Sequence, residues 1–169
     1  MLFSSQQTLM NYILTGQKLI ESNFPYGCKI LIGTKSFSAY VTSKYWEFVV
    51  LDGQSIQYQS RYVCDSLLSR ILDLGYYVFF DSNKKEIFRL CKRGAFRLKT
   101  AIVLDGKEYI LPRNIDFSLD AIGFQIEIKD GKFIASVKNT SHIGEDVLGV
   151  GLLLSYYCWL RQQRWEDID

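Results

Sequence analysis

The chain has 169 residues, a length at which one hydrophobic core suffices without a metal or disulfide staple. Its 48% hydrophobic and 15% aromatic content, with only two prolines, excludes a disordered or low-complexity polymer. Twenty basic against eighteen acidic side chains leave a net charge of +2, so bulk attraction to nucleic acid is excluded and any basic function must be local.

From the start of the chain, Met1 to Met10 carries neither a basic leader nor a sustained apolar run, which argues against a secretory signal. Leu9, Met10, Ile13, Leu14 and Ile20 recur at helical spacing and predict an amphipathic helix within residues 1–25. A membrane-surface helix is the alternative, although Lys18 is its sole basic residue. Cys28, Cys64, Cys91 and Cys158 form no Cys-x-x-Cys pair, so no zinc or redox motif is written and buried thiols are expected. Together these features predict a reducing, cytoplasmic location, with peripheral membrane attachment as its extension.

Residues 26–142 predict a β-hairpin region. An apolar run meets Asp-Gly or an equivalent turn, and a second β-type run follows, at Phe48–Tyr58, Tyr77–Leu90, Ile102–Leu111 and Ile126–Val137. The turns are Asp52-Gly53, Asp81-Ser82-Asn83, Asp105-Gly106 and Asp130-Gly131. Turn chemistry alone explains each Asp, since type I′ turns need positive φ at both central residues, and this outweighs an Asp-based site. Further runs at Lys29–Ile32, Phe37–Thr42, Arg89–Lys92, Phe96–Lys99 and Asp116–Leu119 raise the expectation to about 10–12 strands. So many short antiparallel strands favour a closed or nearly closed β-barrel, which removes exposed edges. Leu67, Leu68, Ile71 and Leu72, with Asp65 before them and Gly75 after, predict a short helix near 65–74.

Residues 143–169 hold the last element, a helix expected from Glu145 to Arg164. Val147, Leu148, Val150, Leu152 to Leu154 and Tyr156 to Leu160 leave no polar stripe, so protein or lipid must surround it. The run is shorter than the roughly 20 residues of a membrane span, and a buried helix inside the sheet is expected. Gly149, Gly151 and Ser155 then mark places where strands approach its backbone.

The strand Tyr76, Tyr77, Val78, Phe79, Phe80 running into Asp81, the strand Ile87, Phe88, Arg89, Leu90, and the apolar helix ending at Leu160 carry a resemblance. The region from about Lys29 to Trp165 resembles the tubby C-terminal-like superfamily, with its LURP-one-related and phospholipid-scramblase-like branches. The resemblance implies a closed barrel threaded by its C-terminal helix, in a fold whose members bind phosphoinositides or membranes or have no established activity, and an enzyme is not expected. The early amphipathic helix and the helix at Asp65 depart from that plan, and no lipid-binding residue carries over by motif.

The densest charge lies between Lys84 and Lys99, where Lys84, Lys85, Arg89, Lys92, Arg93, Arg97 and Lys99 face only Glu86. With Phe88 and Leu90 inward, alternation sends Arg89 outward, and with Phe96 and Leu98 inward it sends Arg97 and Lys99 outward. Such a basic hairpin suits an anionic membrane surface, phosphorylated headgroups or an acidic protein. The plainer alternative is solvation and protection of an exposed strand.

Catalytic pairings are thin. His142, the single histidine, is placed near no nucleophile by motif, so a hydrolase using it with Cys64, Cys91 or Cys158 is the minor alternative. Glu145 and Asp146 suit a helix start without catalysis. The spacing from Gly144 to Gly151 fits no phosphate-binding loop, and neither cofactor, metal nor specific nucleic acid is expected. A non-catalytic binding or scaffold domain is the reading of the sequence, with a protein–protein interaction module lacking a lipid role as its alternative.

Overall fold

The computed structural model describes residues 11–20, 23–42, 47–64, 66–68, 75–93, 99–113, 116–138 and 146–168, with helix side chains described through Gln163. Twelve strands join in one antiparallel sheet: β1 (Asn11–Lys18), β2 (Cys28–Ile32), β3 (Lys35–Val41), β4 (Phe48–Asp52), β5 (Ser55–Val63), β6 (Tyr76–Asp81), β7 (Glu86–Arg93), β8 (Lys99–Leu104), β9 (Lys107–Ile110), β10 (Phe117–Leu119), β11 (Phe124–Lys129) and β12 (Lys132–Lys138). One long helix, α1 (Val147–Ile168), follows. Across the sheet the order is β10, β11, β12, then β1 through β9.

The first strand corrects the sequence expectation, because Asn11–Lys18 is extended where an amphipathic helix was predicted. Ile13 and Leu14 satisfy helical spacing but also strand alternation: Leu14 and Gly16 are buried while Ile13 and Thr15 face outward. Pairing decides between the two. β1 lies between β12, with Asn11 opposite Lys138, and β2, with Thr15 opposite Leu31, so both of its backbone edges are hydrogen-bonded. Gly16 is required at its position, since a Cβ there would stand 1.9 Å from the Phe133 ring. Leu9 and Met10 lie outside the described residues.

The hairpin turns follow the predicted chemistry, with one shift. Asp105 and Gly106, and likewise Asp130 and Gly131, both take positive φ, as a type I′ turn demands. At the first hairpin Asp52 instead pairs with Ser55, so the turn is Gly53-Gln54 and only Gly53 has positive φ. Asp81 closes the β6–β7 turn by accepting the Asn83 and Lys85 N–H groups on Oδ1, both at 2.9 Å. Of the short helix expected near 65–74, Leu67 and Leu68 are helical and exposed, and most of the remainder lies outside the described residues.

α1 is buried on all sides through its first half and beyond. Val150, Leu152, Leu153, Leu154, Ser155 and Tyr156 are 0% exposed. Its neighbours come from strands spread along the sheet: Phe48 on β4 packs edge-to-face on Tyr156, and Val137 on β12 with Leu14 on β1 close on Gly151. Gly151 has no room for a Cβ, which would lie 2.7 Å from Val137 Cγ1, as expected for a strand crossing against the helix backbone. Ser155 is also enclosed, and its hydroxyl finds no partner. The sheet is nevertheless open in its hydrogen bonding, because β9 and β10 are its terminal strands and do not pair with each other. The twelve-stranded mainly β architecture with one C-terminal helix is thus present without a closed ladder. No helix among the described residues is long and apolar enough to cross a membrane.

Antiparallel order gives the sheet two unlike ends. At one end the connections between strands are 33–34, 53–54, 82–85, 105–106 and 120–123, all tight, and residues 139–146 lead from β12 into α1. At the other they are 19–27, 42–47, 64–75, 94–98 and 111–116, with Asp130-Gly131 the short exception. α1 runs from the turn end to the loop end, since Asp146 bonds Tyr58 near the β5 start while Trp159 bonds Gly131. Long connections on a rigid frame are where binding residues are usually carried.

Candidate functional site

The charge-rich segment 84–99 is divided by this geometry. Lys84 and Lys85 belong to the β6–β7 turn at the turn end, whereas Lys92 and Arg93 finish β7 and Lys99 begins β8 at the loop end. Lys85 and Lys92 are seven residues apart along an extended strand, about 23 Å at roughly 3.3 Å per residue. The seven predicted basic residues are therefore not one patch. Arg97 lies outside the described residues.

Alternation then separates the loop-end group by face. Arg89, Arg93 and Lys99 point outward, and Arg93 stands directly opposite Lys99 in the β7–β8 ladder. Both arginines are already engaged. Arg89 forms a two-pronged ion pair with Glu86 and lies over the Tyr76 ring at 5.3 Å. Arg93 grips Glu108 with Nη2 at 2.6 Å and Nε at 3.1 Å. The Arg93 guanidinium holds the Glu108 carboxyl below its ordinary range.

Lys92 departs from the single basic face expected for the hairpin. It shares the parity of the buried Phe88 and Leu90, so it rises on the inner face where that face reaches the rim. Its Nζ lies 3.4 Å from Thr100 Oγ1 on β8, and that oxygen lies 3.4 Å from the Tyr157 hydroxyl on α1. One helical turn further, Arg161 Cζ sits 5.8 Å from the Tyr157 ring centroid, and its Nη2 donates to the Pro112 carbonyl at 3.1 Å. A rim of two cations and two hydroxyls is thereby built from β7, β8 and α1. Other lysines, Lys18, Lys129 and Lys132, end strands on the same side of the sheet. Sequence reading missed Thr100, Tyr157 and Arg161 as a group. The available signals were the inward parity of Lys92 and the four-residue spacing of Tyr157 and Arg161.

The polar anchors elsewhere on α1 are shorter. Tyr156 Oη donates to the Tyr26 carbonyl at 2.8 Å and Trp159 Nε1 to the Gly131 carbonyl at 2.8 Å. At the helix start Asp146 acts as N-cap, accepting the Gly149 N–H at 2.8 Å and the Tyr58 hydroxyl at 3.3 Å on the same Oδ1. A Cβ at Gly149 would meet Tyr58 Cε1 at 2.7 Å, so the cap and the small residue belong together. Burial, with the Asp146 charge beside it, pushes the Tyr58 hydroxyl upward and keeps it a donor.

The cysteines bear on the hydrolase alternative. Burial pushes the thiols of Cys28 and Cys158 up to about 12 and raises that of Cys91, which disfavours the thiolate a nucleophile needs. His142 and Glu145 lie outside the described residues. Among the described residues no group of three or more His, Cys, Asp or Glu side chains is arranged to hold a metal ion. Searches against models of known protein families, curated proteins and solved structures found no match to this chain.

Proposed function

We propose that this chain is a non-catalytic binding or scaffold domain of tubby-like plan, which attaches peripherally to anionic, phosphoinositide-bearing membrane surfaces on the cytoplasmic side. The observation that carries the reading is the gathering of Lys92, Arg93, Lys99 and Arg161 at the loop end of the sheet, with Glu108 offsetting only Arg93. A nearly closed barrel around α1 belongs to the same reading. What supports it is that residues of β1, β4 and β12 all close on α1, whose middle is 0% exposed.

Each basic side chain near an anionic leaflet contributes about 1 kcal/mol, and salt screens the attraction. Co-sedimentation with neutral, phosphatidylserine and phosphoinositide vesicles tests the proposal. Binding to the two anionic vesicles that falls as ionic strength rises is expected. Equal binding to all three, or none, would remove it. A second reading, a protein–protein module, draws on Ile134, Thr15 and Leu31, which lie in one row across β12, β1 and β2, with Ile134 59% and Leu31 40% exposed. Vesicle indifference together with self-association or partner binding lost in Ile134→Lys would favour it.

A further inference from the structure

The rim between β7, β8 and α1 brings two cations and two hydroxyls close together. Thr100 Oγ1 has Lys92 Nζ on one side and Tyr157 Oη on the other, each at 3.4 Å. Contacts of these kinds close at about 2.7–3.0 Å, so both are long and leave donor capacity on Lys92 Nζ and on the hydroxyls. The same helix closes its buried anchors at Tyr156 and Trp159 to 2.8 Å, so the rim contacts of Tyr157 are the looser ones in this part of the helix.

Charge points the same way. Arg89 and Arg93 are each neutralised by a carboxylate, Glu86 and Glu108. Among the described residues Lys92 and Arg161 have none within ion-pair distance. Arg161 spends one N–H on the Pro112 carbonyl, and its fork retains further donors. Thr100 is only 9% exposed, so an anion beside it sits partly out of water, where charge-assisted bonds are stronger.

We propose that Lys92, Thr100, Tyr157 and Arg161 bind a tetrahedral phosphate-type oxyanion, such as a phosphomonoester, at the loop-end rim. The two cations neutralise it and the two hydroxyls donate to separate oxygens. The proposal deepens the anionic-surface reading by naming a stereospecific site at the end that reading uses, yet the two fail separately. General surface charge needs no Thr100 or Tyr157 hydroxyl.

The test is calorimetric titration of the full chain with inorganic phosphate and with soluble inositol trisphosphate at fixed ionic strength, with chloride as reference. Wild type, Arg161→Gln, Thr100→Val, Tyr157→Phe and Lys84→Gln are compared after their folding is checked by circular dichroism. Arg161→Gln and Thr100→Val are expected to weaken phosphate binding roughly tenfold, as loss of one charge-assisted contact does. Tyr157→Phe, which keeps the ring, loses affinity by a smaller factor, and Lys84→Gln at the turn end changes it less than about twofold. Phosphate bound no better than chloride, or bound equally by wild type, Arg161→Gln and Tyr157→Phe, overturns the site even if vesicle binding persists. Phosphate binding without vesicle binding supports the site and assigns it a soluble ligand. Binding of both, lost together in Arg161→Gln, assigns it a lipid headgroup.

Discussion

The two ends of the sheet use the same backbone and opposite chemistry. At the turn end, α1 starts on a cap fixed by Asp146, Gly149 and Tyr58, the connections are mostly two to four residues, and polar groups are committed to structure. At the loop end the connections lengthen, and Lys92, Thr100, Tyr157 and Arg161 make contacts that leave donors over. The lesson is that where side chains are spent on turns and caps the fold is specified, and where they remain partly unspent there is capacity to bind something else. Burial of the helix does not differ comparably, since Trp159 near the loop end is 1% exposed and Val150 near the turn end 0%.

Stability measurements can break this comparison. The largest effect is expected at the turn end: Asp146→Ala removes the acceptor of the Gly149 N–H and strands the Tyr58 hydroxyl, costing about 2 kcal/mol in urea unfolding. A negligible change would show that the turn end is not fixed by its cap.

Next comes a test of whether the core at the loop end is sealed despite its polar rim. Cys28 and Cys158 lie toward that end, and burial moves their thiols from an ordinary value of 9.0 to about 12. Between these values the folded chain keeps protons that the unfolded chain releases. The stability contribution is therefore complete below 9.0 and lost as pH rises toward 12. At about pH 10 the loss is roughly 1 kcal/mol per thiol. The urea midpoint should fall between about pH 8 and about pH 10, with a shallower slope in Cys158→Ala; a flat profile would mean that water reaches the thiols.

A smaller and opposite effect is expected in the middle of α1. Ser155→Ala removes a buried hydroxyl that has no partner and raises helix propensity, stabilising the fold by up to about 1 kcal/mol. Destabilisation would show that the hydroxyl is satisfied in solution. Tyr157→Phe should change stability by less than about 0.5 kcal/mol, because the 3.4 Å contact it removes is too long to hold much energy.

The hairpins were legible because each is a local event, in which alternation and an Asp-Gly turn lie within a dozen residues. The helix was legible from its lack of a polar stripe, and Gly151 from the need for strands to approach it. The strand Asn11–Lys18 was not, because its apolar spacing fits both periods and its partner β12 is the last strand in the chain order, Asn11 pairing with Lys138. Openness of the sheet between β9 and β10 was hidden for a related reason: hairpin signals say where strands turn and nothing about how the first and last meet. Basic residues 84–99 could be counted but not located. Strand parity alone turns Lys92 inward, while its partner Thr100 reaches Tyr157 across 57 residues of chain.

The central claim is that anionic attachment belongs to the loop end and not to the basic segment as a whole. Phosphoinositide vesicle binding should be compared in two charge-matched variants, Lys92→Glu with Lys99→Glu and Lys84→Glu with Lys85→Glu. Both change the net charge equally, so any difference reports position. The account predicts that the first pair abolishes binding and the second leaves it within about twofold, after the small loss expected from bulk charge. Equal loss in both variants, or loss confined to the Lys84 and Lys85 pair, would contradict it.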